Sequence, residues 1–151
     1  HKAKYLYNRI ITVEKKDKVD LKSIRKSDLG FLYELLLQRK PNVNISHRKM
    51  PSYNDHVKFV NSKPYTKWYI ILFNNIKCGS IYLSKQDEVG IFLKNDIHCR
   101  GIGSEAMKIL MKLNPRSRYL ANINPKNKKS VKFFKEKNFK LIQYTYELIM
   151  E

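Results

Sequence analysis

Acidic residues are scarce in this chain. Across 151 residues, 13 Asp and Glu stand against 31 Lys and Arg, a formal net charge of +18. Such a surface disfavours cationic partners and favours anionic ones. Cysteine is scarcer still, with Cys78 and Cys99 alone. Two thiols far apart make neither a metal motif nor a disulfide framework, and a reducing, cytoplasmic setting is expected. Cys99 precedes a helix start, where a thiol is more acidic, but a loop residue without chemistry is the plainer reading. Five glycines and five prolines exclude collagen-like and proline-rich segments. No long hydrophobic run is present: residues 68–73 and the stretch around Leu35 are too short to cross a bilayer, so no membrane role is expected. The N-terminus is polar and basic, unlike a signal peptide, and His1 suggests a processing or tag remnant.

What is present is enough for one core. Hydrophobic residues make up 42% of the chain, which argues against disorder. The lysines are dispersed rather than gathered in one run, so nucleic-acid binding is not the leading expectation. Abundant Asn and Ile look like a bias toward A+T-rich codons, which reduces the weight of the charge.

Residues 1–18 read as an N-terminal extension, with 5–13 β-prone, and residues 19–151 as a single domain. Residues 19–24 alternate with period 2 and predict the first core strand. Ser27 or Asp28 is expected to cap a helix bearing Leu29, Leu32, Tyr33 and Leu36 on one face and ending by Pro41. Ser52-x-x-Asp55 predicts a second helix through Val60. Residues 68–73 and 76–83 form a hairpin across Asn74-Asn75, and 88–93 follow as the next strand. A helix ending before Pro115 places Ile102, Ala106, Ile109, Leu110 and Leu113 on one face. Residues 119–123 and 144–150 are further expected strands. Between them lies a helix from Asn127, with Ser130, Val131 and Phe134 inward and Asn138 as left-handed cap.

The chemistry-bearing stretch is the strand 89–93, a polar break at 94–96, and His98-Cys99-Arg100-Gly101-Ile102-Gly103-Ser104. A glycine turn at a helix start offers free N–H groups and the positive end of the helix dipole to an anion. A Walker loop is absent, and a dinucleotide fingerprint fails on context, because the unit follows a hairpin late in the chain.

His98-x-x-Gly101-x-Gly103 resembles the Gln/Arg-x-x-Gly-x-Gly/Ala signature of the GNAT superfamily of acetyl-CoA-dependent N-acetyltransferases, with His98 where Gln or Arg is usual. The segment 121–130 with Phe133-Phe134 and Asn138-Phe139 resembles the family's later strand–helix unit, and the element order agrees from Val19 onward. The resemblance implies an α/β (α+β) GNAT fold with a mixed, mostly antiparallel sheet of about 6–7 strands and about four helices. It implies acetyl-CoA as co-substrate, no metal, and a primary-amine acceptor. It implies that backbone groups of Ile91, Phe92 and Leu93 hold the pantetheine arm. Cys99, Arg100, Gly101, Ile102, Gly103 and Ser104 would hold the pyrophosphate, and Asn127 would lie near the thioester. A monomer or homodimer fits this picture.

Two positions depart from the protein-acetylating members. Asn122 stands where many carry a basic glutamate, and Phe134 where many carry an acidic tyrosine. Glu88 is the remaining carboxylate candidate and Tyr144, with Tyr146 beside it, the candidate proton donor. His47 and His56 fall in the family's substrate-side region, and His98 beside the phosphates. A weaker base suits a less basic amine. Together with the charge and a looser resemblance of 56–83 to enzymes acting on nucleotide-linked amino sugars, this makes such a sugar the first expected acceptor. Peptide N-termini or small amines are the alternative, and a non-catalytic acetyl-CoA- or nucleic-acid-binding module the third.

Overall fold

The computed structural model describes residues 17–39, 49–95 and 101–150. Its centre is a four-stranded antiparallel sheet in sequence order: β1 (Val19–Ser23), β2 (Lys67–Phe73), β3 (Ile76–Leu83) and β4 (Val89–Leu93). Asn74 and Asn75 take positive φ, 49° and 67°, and close the β2–β3 hairpin as expected. The register shifts between Ile71 and Leu72, leaving Cys78 as the extra residue of a bulge. That bulge keeps Cys78 on the same side as Ile81, in the core.

Helices cover both sides of the sheet. On one side lie α1 (Leu29–Leu37) and α2 (Tyr53–Asn61), and on the other α3 (Ile102–Leu113) and α4 (Lys128–Glu136). The alternation of β2 serves both. Tyr69, Ile71 and Phe73 face α3 and α4, whereas Trp68, Ile70 and Leu72 face α1 and α2. On α3 the buried residues are Ile102, Ala106, Met107 and Leu110; Leu113 is exposed, so the apolar stripe runs through Met107 instead. On α1 the buried pair is Leu32 and Leu35 rather than Leu36.

The caps follow the sequence. Ser52 Oγ accepts from Asp55 N–H at 3.1 Å to start α2, Asn127 Oδ1 accepts from Ser130 N–H at 3.3 Å to start α4, and Asn138 takes φ 68° after it. Asp28 differs. A short 3₁₀ turn, Lys26–Asp28, precedes α1, and its carboxylate turns inward instead of capping. It is fully buried and pairs with Lys22 of β1 at 2.9 Å and Lys77 of β3 at 2.6 Å. Burial would raise its pKa; the hydrogen bonds from Lys77, Lys22 and the Arg25 N–H outweigh this and hold it below the ordinary value of 3.8.

The expected sheet of 6–7 strands is corrected to four among the described residues. Residues 119–123 reach the sheet through one parallel bridge, Glu88 to Leu120. Residues 144–150 form no strand and are exposed. Their β-propensity is real, but a strand needs an edge to pair with, and they find none among the described residues. The expected β-prone stretch 5–13 lies outside the described residues.

Candidate active site

At the start of β4, two backbone bonds tie it to the segment after α3: Val89 N–H to Leu120 O at 2.7 Å, and Leu120 N–H to Asp87 O at 2.9 Å. Tyr119 fixes this approach, its hydroxyl donating to Asn114 O at 2.6 Å. Beyond that point no further pairing of β4 with 121–123 occurs among the described residues, and the two segments part. The β3–β4 register, with Lys94 N–H donating to Cys78 O, turns the backbone groups of Gly90 and Phe92 toward β3. Those of Ile91 and Leu93 therefore face the split. Of the three residues expected to offer backbone groups there, Phe92 turns its backbone away and its side chain to the α1–α2 side.

At the open end of the split, α3 begins. Gly101 takes φ 96°, a conformation that costs a residue with a side chain about 1–2 kcal/mol. A Cβ on Gly103 would meet Phe133 at 3.5 Å and Ile91 at 3.6 Å, ordinary contacts, so nothing in the packing demands glycine there. A bare position at a helix start leaves room for an anion to approach the backbone.

At the closed end, Glu88 is half-buried. Its carboxylate accepts from Ser84 Oγ at 3.0 Å and from the Asn122 side-chain amide. Asn122, which stands where a basic glutamate is expected, is instead the side-chain donor to the Glu88 carboxylate. Asn127 lies at the head of α4 with its Oδ1 engaged as cap. Tyr144 is 74% exposed, with Tyr146 as its ring neighbour at 6.4 Å, and no described contact joins it to Glu88. His47, His98, Cys99 and Arg100 lie outside the described residues.

Across β4 from the split, on the α1–α2 side, is an open-mouthed cavity of about 70 Å³. Its floor is Trp68, Ser80, Tyr82 and Phe92, the residues of β2–β4 that alternate to this face. Tyr82 stacks on Tyr65 at 3.8 Å and overlies Gly90, where a Cβ would run into its ring. Burial raises the Tyr82 phenol, opposed by the Tyr65 hydrogen bond and the Arg39 charge. Arg39 enters from the end of α1. Gln38 holds that end to β4 through two bonds with Asn95, at 2.9 and 3.2 Å. The Arg39 guanidinium consequently sits 4.4 Å over the Phe92 ring.

His56, a sequence candidate, lines this cavity from α2 and is 2% exposed. Its Nε2 lies 3.3 Å from Leu29 O, and burial lowers its pKa despite that bond, so the ring is neutral at pH 7. Sequence reasoning missed Arg39, Trp68, Ser80 and Tyr82 as cavity walls. A signal existed: Ser80 and Gly90 are small residues set among bulky strand positions on one alternating face. The aromatics of residues 126–140 turn inward, with Phe134 buried and Phe133 and Phe139 packed beside it, so they form no stacking platform for nucleic-acid bases.

No metal cluster is found among the described residues, and no described helix is long and apolar enough to cross a membrane. No family model and no curated protein matches the sequence. The fold does match solved structures. A domain from Methanocaldococcus jannaschii DSM 2661 superposes with a TM-score of 0.74 at 22% identity, over 87% of this chain and 94% of that one. RimL, a ribosomal L7/L12 alpha-N-protein acetyltransferase in complex with coenzyme A, gives 0.66 at 19% identity, over 83% and 81%. The aminoglycoside N-acetyltransferase AAC(6')-Iy, in complex with CoA, gives 0.66 at 15% identity, over 91% and 98%. The chain has the fold of these acetyltransferases.

Proposed function

We propose that the protein is an acetyl-CoA-dependent N-acetyltransferase acting on a primary amine. The observation that carries this is the split beside β4, with the glycine turn of α3 at its open end. Ile91 and Leu93 offer backbone donors and acceptors to an amide-bearing arm, and the α3 N-terminus offers N–H groups to a pyrophosphate. Cys99 and Arg100 would complete that turn, and Asn127, which retains its amide N–H groups beyond the cap, would reach the thioester end.

The thioester supplies an activated acetyl group. The amine nitrogen attacks its carbonyl carbon, the C–S bond breaks, an amide forms, and the amine's proton must leave while the thiolate gains one. Glu88, held by Ser84 and Asn122, is the base in this reading. Tyr144 is the phenol proposed as proton donor, on a segment that would have to lie over the split. The finer expectation, a nucleotide-linked amino sugar, draws on the net charge of +18. Against it, Arg39 is the one cation among the described residues lining the cavity, fewer than a diphosphate calls for.

A thiol-release assay across nucleotide amino sugars, free amino sugars, polyamines, amino acids and N-terminal peptides tests the reading. At least one primary amine should release thiol, and Glu88→Gln should slow release most at low pH, where a base is needed to take the ammonium proton. Tight acetyl-CoA binding with no release from any amine would leave a non-catalytic binding module instead.

A further inference from the structure

Among the described residues, the buried side-chain polar atoms without hydrogen-bond partners are Arg39 Nε, His56 Nδ1 and Trp68 Nε1. All three belong to residues lining the cavity on the α1–α2 side. Each such atom, left unsatisfied, costs its full desolvation penalty. Buried polar groups are overwhelmingly paired in native proteins, so three orphans around one cavity are groups that an occupant would pair with.

Their chemistry describes that occupant. Arg39 and Trp68 can only donate. His56 directs Nε2 at the Leu29 carbonyl, so that nitrogen carries the proton and Nδ1 is left as an acceptor. The occupant therefore presents an acceptor group to two donors and a donor group to one acceptor. Its acceptor group is anionic, because the half-buried Arg39 guanidinium has no carboxylate partner among the described lining residues. It is singly charged, because Arg39 is the one cation among the described lining residues. A planar carboxylate matches an arginine fork, with the indole N–H as a further donor. The apolar walls, Leu32, Leu35, Leu36, Phe59 and Phe92, ask for an apolar or aromatic body.

We infer that this cavity binds a small amine that also carries a carboxylate, with the carboxylate on Arg39 and Trp68 and an N–H of the ligand on His56. α-Amino acids with apolar side chains are the simplest members of this class. Phe92 connects the cavity to the split: its side chain lines one, and the backbone groups of its neighbours Ile91 and Leu93 face the other. That the bound amine is then acetylated rests on the proposed function; that it binds does not.

Trp68 is the one tryptophan of the chain, so its fluorescence reports on this cavity alone. The full chain, without acetyl-CoA, is titrated with L-phenylalanine and L-leucine and with their decarboxylated twins, phenethylamine and isoamylamine. Each amino acid should bind at least about tenfold more tightly than its twin. Arg39→Met, which keeps the stem over Phe92 and removes the fork, should bring each pair to within about twofold, with the melting temperature held. If that variant does not fold, Arg39→Lys serves: losing the fork should cut the preference at least about threefold. Equal binding of the twins to the unmodified protein would overturn the inference, as would a preference that survives loss of the fork. Amino-acid binding without thiol release would count against acetyl transfer and leave this inference standing. Thiol release from other amines, with no carboxylate preference in the titration, would do the reverse.

Discussion

The two sides of the sheet are built from the same strands and finished differently. Toward α3 and α4, eleven buried residues form one continuous apolar cluster. Toward α1 and α2, four do, and the space between them and the strand ends is the cavity. The buried carboxylate and imidazole, Asp28 and His56, both belong to the α1–α2 side, as do the three unpartnered polar atoms. One side is closed by packing; the other holds polar groups at a cost that the first side's stability offsets. A single alternating strand contributes to both, because successive residues of β2 point opposite ways.

The comparison can be broken first by truncation. Leu110→Ala, in the closed cluster, should cost about 2–5 kcal/mol in denaturant unfolding. Leu36→Ala, at a cavity wall already short of contacts, should cost less than about 2 kcal/mol. Equal losses would mean that the two sides are packed alike.

A smaller effect separates binding from stability at the split. Gly103→Asp should weaken acetyl-CoA binding tenfold or more, on the order of 1.4 kcal/mol by calorimetry, because it sets a carboxylate where the pyrophosphate is proposed to lie. Its unfolding midpoint should stay close to the parent's, since a Cβ meets only ordinary contacts there. Asn127→Ala should by contrast lose about 1 kcal/mol of stability with its cap. Unchanged affinity in a folded Gly103→Asp protein would remove the site from this turn.

The smallest effect is in pH dependence. The lowered His56 pKa means that the unfolded chain binds a proton more readily, so stability should decline as pH falls below about 6.5 toward the folded value. Asp28 is also lowered. Its contribution is complete above 3.8 and is lost as pH falls through its folded value. Urea midpoints followed from pH 8 to 3 should therefore show two declines. His56→Phe should remove the upper and keep the lower.

Much of the fold was legible where local chemistry decides it. The Asn74-Asn75 turn, the Ser52 and Asn127 caps and the Asn138 terminator were all readable from the residues, because each depends on a side chain and its nearest backbone. Strand number was not legible. Residues 119–123 and 144–150 have the composition of strands, but pairing is a property of an edge elsewhere in the chain. The candidate site divides the same way. Gly101 announced its left-handed turn, whereas Arg39 looked like one basic residue among 31 until Gln38 and Asn95 were seen to hold it over Phe92. Asn122 read as a deletion of function because its partner, Glu88, lies 34 residues away.

The alternating backbone of β4 also sets a clock. The amides of Gly90, Phe92 and Lys94 are locked into β3, while those of Ile91 and Leu93 look onto the split. In deuterated solvent, neighbouring positions of one short strand should label at alternately slow and fast rates. Whatever fills the split with hydrogen-bonding groups would erase that alternation, slowing Ile91 and Leu93 and leaving the three between and beside them as they were.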